Sequence, residues 1–116
     1  MARVLLVDDD LDALEIRKRI FELDGHHVFV APSAARALEQ FRLGSPDSVI
    51  LDLRLPDPED GLALIREFRG ASREVRIVVL AGWRADLDGR AESELVNVVL
   101  AKPVRSEVLL GAVRGQ

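Results

Sequence analysis

Three aspartates stand in a row at Asp8, Asp9 and Asp10, a fourth stands at Asp52, and a lysine precedes a proline at Lys102-Pro103. Each of these sites closes an apolar run: Val4–Val7, Val49–Leu51 and Val98–Leu100 with Ala101. Carboxylates brought together repel one another. A hard divalent cation with oxygen ligands, Mg2+ above all, relieves that cost. A lysine in the same cluster adds a positive point charge. This inventory suits phosphoryl chemistry. A carboxylate serves as nucleophile and forms an acyl phosphate, while metal and lysine neutralise the oxygens of the transferring group. Asp52, alone at its strand end, is the candidate nucleophile, and Asp8 with Asp9 the candidate metal holders. Asp10 reads as the N-cap of the helix that follows.

Composition narrows the field around that cluster. Cysteine is absent, which excludes disulfides, thiolate metal sites and cysteine nucleophiles. The two histidines, His26 and His27, are too few for a histidine-based metal site. A net charge of −4 speaks against a nucleic-acid-binding surface. No apolar run approaches the roughly 18 residues of a membrane span, and Met1-Ala2-Arg3 runs directly into a strand-like segment, unlike a signal peptide. A single domain over residues 1–116, cytoplasmic and without a membrane anchor, is the expectation.

The elements that must position these residues alternate along the chain. Val4–Val7 is a strand. A helix over Asp12–Leu23 follows, with Ala13, Ile16, Ile20 and Leu23 at helical spacing and Gly25 as its stop. His27–Ala31 is a second strand. Ser33 caps a helix with Ala34, Leu38 and Phe41 on one face, ended at Gly44. Val49–Leu51 is the third strand, and the loop Pro56-Asp57-Pro58-Glu59-Asp60 leads through Gly61 to a helix with Leu64, Ile65 and Phe68. Arg76–Leu80 and Val98–Leu100 are the last strands, and Glu107–Val113 the last helix, with Leu109, Ala112 and Val113 inward. The fourth helix, between about Ala85 and Leu95, is the weakest. Gly89 interrupts it at a cost of roughly 1 kcal/mol against alanine, and its apolar face is thin (Leu87, Ala91, Leu95), so it is expected to be short or mobile. Five βα units with strands apolar throughout predict an α/β fold: a doubly wound, five-stranded parallel sheet of (βα)5 type, flavodoxin-like, in the order 2-1-3-4-5. Ligands of such sheets bind outside the carboxyl ends of the strands, where the aspartates and Lys102 fall.

With these motifs in this order, the chain resembles the receiver domain of two-component response regulators over its whole length. The matching pieces are Val4-Leu5-Leu6-Val7-Asp8-Asp9-Asp10, Val49-Ile50-Leu51-Asp52-Leu53-Arg54-Leu55-Pro56, Asp60-Gly61 and Leu100-Ala101-Lys102-Pro103. The resemblance implies phosphorylation of Asp52 by a phosphohistidine donor, a histidine kinase or a phosphotransfer protein, with Mg2+ as cofactor. Asp9 and Asp52 would ligate the metal directly, Asp8 mainly through water, and the backbone carbonyl of Arg54 would complete the protein ligands. Lys102 would pair with a phosphoryl oxygen, and the Lys102–Pro103 bond would be cis. A downstream protein or a homodimer would use the face of the fourth helix, fifth strand and last helix, where Arg90, Glu92, Glu94, Arg105 and Glu107 offer charges. The chain would be either a stand-alone regulator or a piece of a longer regulator or hybrid kinase. It would be no metabolic enzyme, catalysing only its own phosphorylation and dephosphorylation.

Four departures from the family pattern stand out. Ala81 occupies the place of a serine or threonine whose hydroxyl reaches the phosphoryl group. Val99 occupies the place of the aromatic switch residue. The loop from Asp52 to Gly61 reads as one residue longer than usual, adding the charges of Asp57, Glu59 and Asp60 near the rim. Arg54 and Trp83 fill the variable positions beside the phosphoryl group, where Trp83 would shield it from water and Arg54 would contact it or stack on Trp83. Ala81 and Val99 leave open an alternative, a pseudo-receiver that is never phosphorylated and acts as an interaction module. A phosphohydrolase with an aspartate nucleophile is opposed by Arg54, which stands where such enzymes carry their second, acidic residue.

Overall fold

Five short strands carry the molecule: β1 (Arg3–Val7), β2 (His27–Ala31), β3 (Ser48–Asp52), β4 (Arg76–Ala81) and β5 (Val98–Ala101). The computed structural model describes residues 2–115, with Arg84 by its backbone alone. Every neighbouring pair is parallel, in the order β2-β1-β3-β4-β5, the flavodoxin-like order expected from the sequence. Successive side chains of a strand point to opposite faces, so each apolar run serves two cores. Leu5, Val7, Val49, Leu51, Ile77 and Val79 pack toward α2 (Ala34–Gly44) and α3 (Pro58–Ala71). Val4, Leu6, Ile50, Val78 and Leu80 pack toward α1 (Leu11–Leu23) and α4 (Ser106–Arg114). Phe41 stacks on Phe68 between α2 and α3, ring centroids 4.6 Å apart.

The expected fourth helix is absent as an α-helix. Between β4 and β5 the chain makes two single 3₁₀ turns, Arg84–Asp86 and Ala91–Glu94. Gly89 lies between them at φ +73°, a left-handed conformation that breaks any continuous helix. Of the thin apolar face, Leu87 is buried and Leu95 half-buried, but Ala91 is exposed. Polar links to the α3 side replace the missing packing. Arg54 forks onto Asp86 through Nε (2.8 Å) and Nη2 (3.2 Å), and Arg90 Nη2 holds both carboxylate oxygens of Glu59 at 2.8 and 2.9 Å. Arg66 pairs with Glu92, and Arg69 donates to the Leu95 carbonyl at 2.9 Å and to Asn97 Oδ1 at 3.0 Å. Arg90 and Glu92, counted by sequence as interface charges, are thus spent inside the molecule.

Two further expectations are corrected. The buried stripe of α1 is Leu14 and Phe21, seven residues apart, whereas Ile16 is 62% exposed and Leu23 83% exposed. Helical spacing was present on two faces of α1, and the sheet took the other one. The third helix begins at Pro58, ahead of Gly61. Proline's fixed φ suits the first helical position, and Glu59 and Asp60 lie in the first turn, where the helix dipole favours negative charge. The Asp60 carboxylate also accepts the Asp57 N–H at 3.2 Å. The acidic tail of the loop is therefore a helix start.

Candidate functional site

Strand ends build the site. The Asp8 N–H donates to the Ala31 carbonyl at 3.2 Å, carrying β1 pairing one residue beyond the strand. Asp10 then turns the chain into α1, its Oδ1 accepting from the N–H groups of Asp12 and Ala13 at 3.0 and 3.2 Å. Asp52 is the last residue of β3, in register with Leu80 of β4. Beyond β5, the Lys102 N–H donates to the Ala81 carbonyl at 3.0 Å. The Lys102–Pro103 bond is cis, and so is Leu55–Pro56, which the sequence did not suggest. β4 lies between β3 and β5, so the lysine side chain reaches past the end of β4 to Asp52.

Four of the candidate residues meet. Lys102 Nζ lies 2.5 Å from Asp52 Oδ2. Carboxylate oxygens of Asp8, Asp9 and Asp52 all lie within 4.8 Å of one another. Asp8 and Asp52 are buried and Asp9 is exposed, in an open concavity also lined by Asp10, Ala13, Arg17, Pro103 and Val104. Three oxygen donors so close, none of them sulfur or nitrogen, fit a small hard cation such as Mg2+. Gly61 packs on the backbone just beyond Asp52. A Cβ there would sit 2.0 Å from the Leu53 carbonyl oxygen, so α3 presses directly on the residue after Asp52.

The remaining expected residues lie around this centre. The Arg54 N–H donates to Asp52 Oδ1 at 3.3 Å. Its guanidinium is taken by Asp86 instead of stacking on Trp83. Trp83 is 66% exposed and lies outside the lining of the acidic concavity. Ala81 is buried at the end of β4, with only a methyl group to offer, and Val99 packs half-buried against the core on the α2 and α3 side. One residue at the site escaped sequence reasoning. Arg17 of α1 donates from Nη1 to Asp8 Oδ2 at 2.7 Å. Its signal was a basic residue on the Leu14–Phe21 stripe, hidden because the opposite face of α1 looked more apolar.

Burial pushes the Asp52 carboxyl above its ordinary value of 3.8, Lys102 pulls it back, and the nearby Asp8 pushes it up again. The folded protein therefore holds the Asp52 proton more tightly than the unfolded chain. Stability attached to that proton is gained as pH falls through the raised folded value and is complete below the ordinary one. In EDTA at neutral pH, Asp52→Asn should accordingly be more stable than wild type, with the gap narrowing on acidification. Urea titrations of both proteins from pH 7 to pH 4 check this, and a gap that widens toward acid contradicts it.

The chain's likenesses agree with this geometry. The response regulator receiver domain profile matches residues 4–114. The response regulator MprA of Mycobacterium tuberculosis is 32% identical, over 97% of this chain and 49% of its own. The transcriptional regulatory protein PrrA of Mycobacterium bovis is 35% identical, over 76% of this chain and 37% of its own. The chain thus spans half or less of these curated relatives. Among solved structures, a response regulator receiver domain protein from Clostridium thermocellum superimposes with a TM-score of 0.87 at 28% identity, covering 99% of this chain and 93% of that one. TrrA from Thermotoga maritima, solved in complex with Mg2+ and BeF, gives 0.87 at 26% identity, covering 99% and 98%.

Proposed function

The chain belongs to the response regulator receiver family, and from that premise we propose that it is a phosphoacceptor domain whose Asp52 takes a phosphoryl group from a histidine kinase or phosphotransfer protein. The observation that carries the reading is the 2.5 Å contact of Lys102 with Asp52 inside the same concavity as Asp8 and Asp9. An Asp52 carboxylate oxygen attacks the phosphorus of the donor's phosphohistidine. The new O–P bond forms as the P–N bond breaks, and the imidazole leaves with the bonding pair. Lys102 stands beside Asp52 Oδ2, where its ammonium meets the phosphoryl oxygens. Asp9 and Asp52 would hold Mg2+ directly, with Asp8 through water and the Arg54 carbonyl as a further ligand. Bound there, the ion neutralises charge on the transferring group. Asp10 offers its N–H to Asp8 Oδ1 at 2.9 Å, which fixes the orientation of that carboxylate.

Incubation with acetyl phosphate and Mg2+, followed by intact-mass measurement, tests the reading. The protein should gain one phosphoryl group, and Asp52→Asn should gain none. No gain in wild type with any donor, including a kinase encoded beside it, overturns the reading in favour of the pseudo-receiver, which Ala81 and Val99 favour and the acidic pair with Lys102 opposes. No helix among the described residues is long and apolar enough to cross a membrane, and we place the domain in the cytoplasm. It is a signalling module with no metabolic reaction and no nucleic-acid contact of its own, either alone or within a longer regulator. Downstream partners or a second copy would meet β5, α4 and the two 3₁₀ turns.

Trp83 is 66% exposed and outside the lining of the concavity, so it does not cover Asp52 as the sequence led one to expect. Trp83→Ala should accordingly leave the phosphoryl lifetime, followed by mass after donor removal, unchanged, and a shortened lifetime would restore the shielding role.

A further inference from the structure

Arg17 occupies the buried stripe of α1, three residues after Leu14 and four before Phe21. A guanidinium placed there needs a partner, and Asp8 supplies it at 2.7 Å, with the Asp8 side chain 3% exposed and that of Arg17 20% exposed. The second Asp8 oxygen accepts the Asp10 N–H. Both oxygens of Asp8 are thus satisfied by the chain itself. Asp52 is satisfied likewise, Oδ2 by Lys102 and Oδ1 by the Arg54 N–H at 3.3 Å. Among the described residues, Asp9 alone of the three converging carboxylates has no side-chain cation on it.

We infer that Arg17 is an internal competitor for the divalent cation: it stabilises the metal-free pocket through Asp8 and thereby raises the Mg2+ concentration needed to load it. The inference rests on the pocket being a Mg2+ site. A guanidinium and a divalent cation drawn to one carboxylate repel each other, and burial weakens the screening between them. Loading therefore works against Arg17, whether the side chain withdraws or stays. A residue that only tied α1 to β1 would affect stability and leave metal affinity where it was.

Calorimetric titration of MgCl2 into wild type, Arg17→Gln, Arg17→Leu and Arg17→Lys separates the two roles. Leucine continues the Leu14–Phe21 stripe and provides a folded variant should glutamine not fold. Removing the charge should tighten Mg2+ binding about tenfold, whereas Arg17→Lys, which keeps it, should stay within about threefold of wild type. Thermal melting supplies the second readout. Arg17→Gln should melt below wild type in EDTA, and saturating MgCl2 should close that gap. Equal or weaker Mg2+ affinity in the folded charge-removed variants overturns the role given to Arg17. No Mg2+ response in any of the four proteins, by heat or by melting, overturns the metal-site reading itself.

Discussion

Alanine at Gly61 is expected to destabilise the protein by about 3 kcal/mol. The added Cβ would meet the Leu53 carbonyl oxygen at 2.0 Å, its carbon at 2.7 Å and the Leu53 Cα at 2.8 Å. All three are backbone atoms, so no side chain can swing aside. Either α3 lifts from the sheet, which strips Leu62, Leu64, Ile65 and Phe68 of their packing, or the chain after β3 shifts and takes Asp52 with it. Both routes damage the site, so phosphoacceptance should fall together with stability. For a domain of this size the melting temperature should drop by on the order of 10 °C. Thermal unfolding of Gly61→Ala, with acetyl phosphate labelling well below its midpoint, measures both. A drop of a degree or two with full labelling would show that α3 has room to spare.

Short of removing the acceptor itself, Lys102→Ala carries the largest expected effect on the reaction. Lys102 is the cation lying on Asp52, and Ala81 provides no hydroxyl to share the task of receiving the phosphoryl oxygens. Removing one such preorganised donor costs on the order of 10²-fold in rate. The initial rate of phosphoryl gain from acetyl phosphate at saturating Mg2+ should fall by about that factor, while the fold survives because the lysine head lies at the rim. Slowing of less than about threefold would mean that the bound cation alone supplies the charge, and that Lys102 serves only the metal-free pocket.

Much of this was legible in the residues because two kinds of signal agreed. Apolar runs such as Val4–Val7 and Val49–Leu51, ending abruptly in aspartate, marked both strand and site at once. A parallel sheet then had to bring those ends to one edge. Legibility failed where two readings shared one pattern. α1 carries Ile16, Ile20 and Leu23 on one face and Leu14 with Phe21 on another. The richer face is the exposed one, and the error concealed Arg17. Between Ala85 and Leu95, a thin apolar face and Gly89 signalled a weak helix. The chain instead lies against α3 and the loop before it through ion pairs with partners some thirty residues away, such as Arg54–Asp86 and Glu59–Arg90, and such distant pairs leave no local trace. The start of α3 was misplaced because Pro58, Glu59 and Asp60 have loop-like composition but also suit a first helical turn.

Reduction of the phosphorylated protein with borohydride is the most direct measurement of the central claim. An aspartyl phosphate is reduced to the alcohol, so the modified aspartate becomes homoserine and its peptide can be located by mass. Homoserine should appear at position 52 and nowhere else, only after incubation with donor and Mg2+. Homoserine at Asp8, Asp9 or any other carboxylate, or none at all in protein shown to have gained a phosphoryl group, would contradict the assignment of Asp52 as the acceptor.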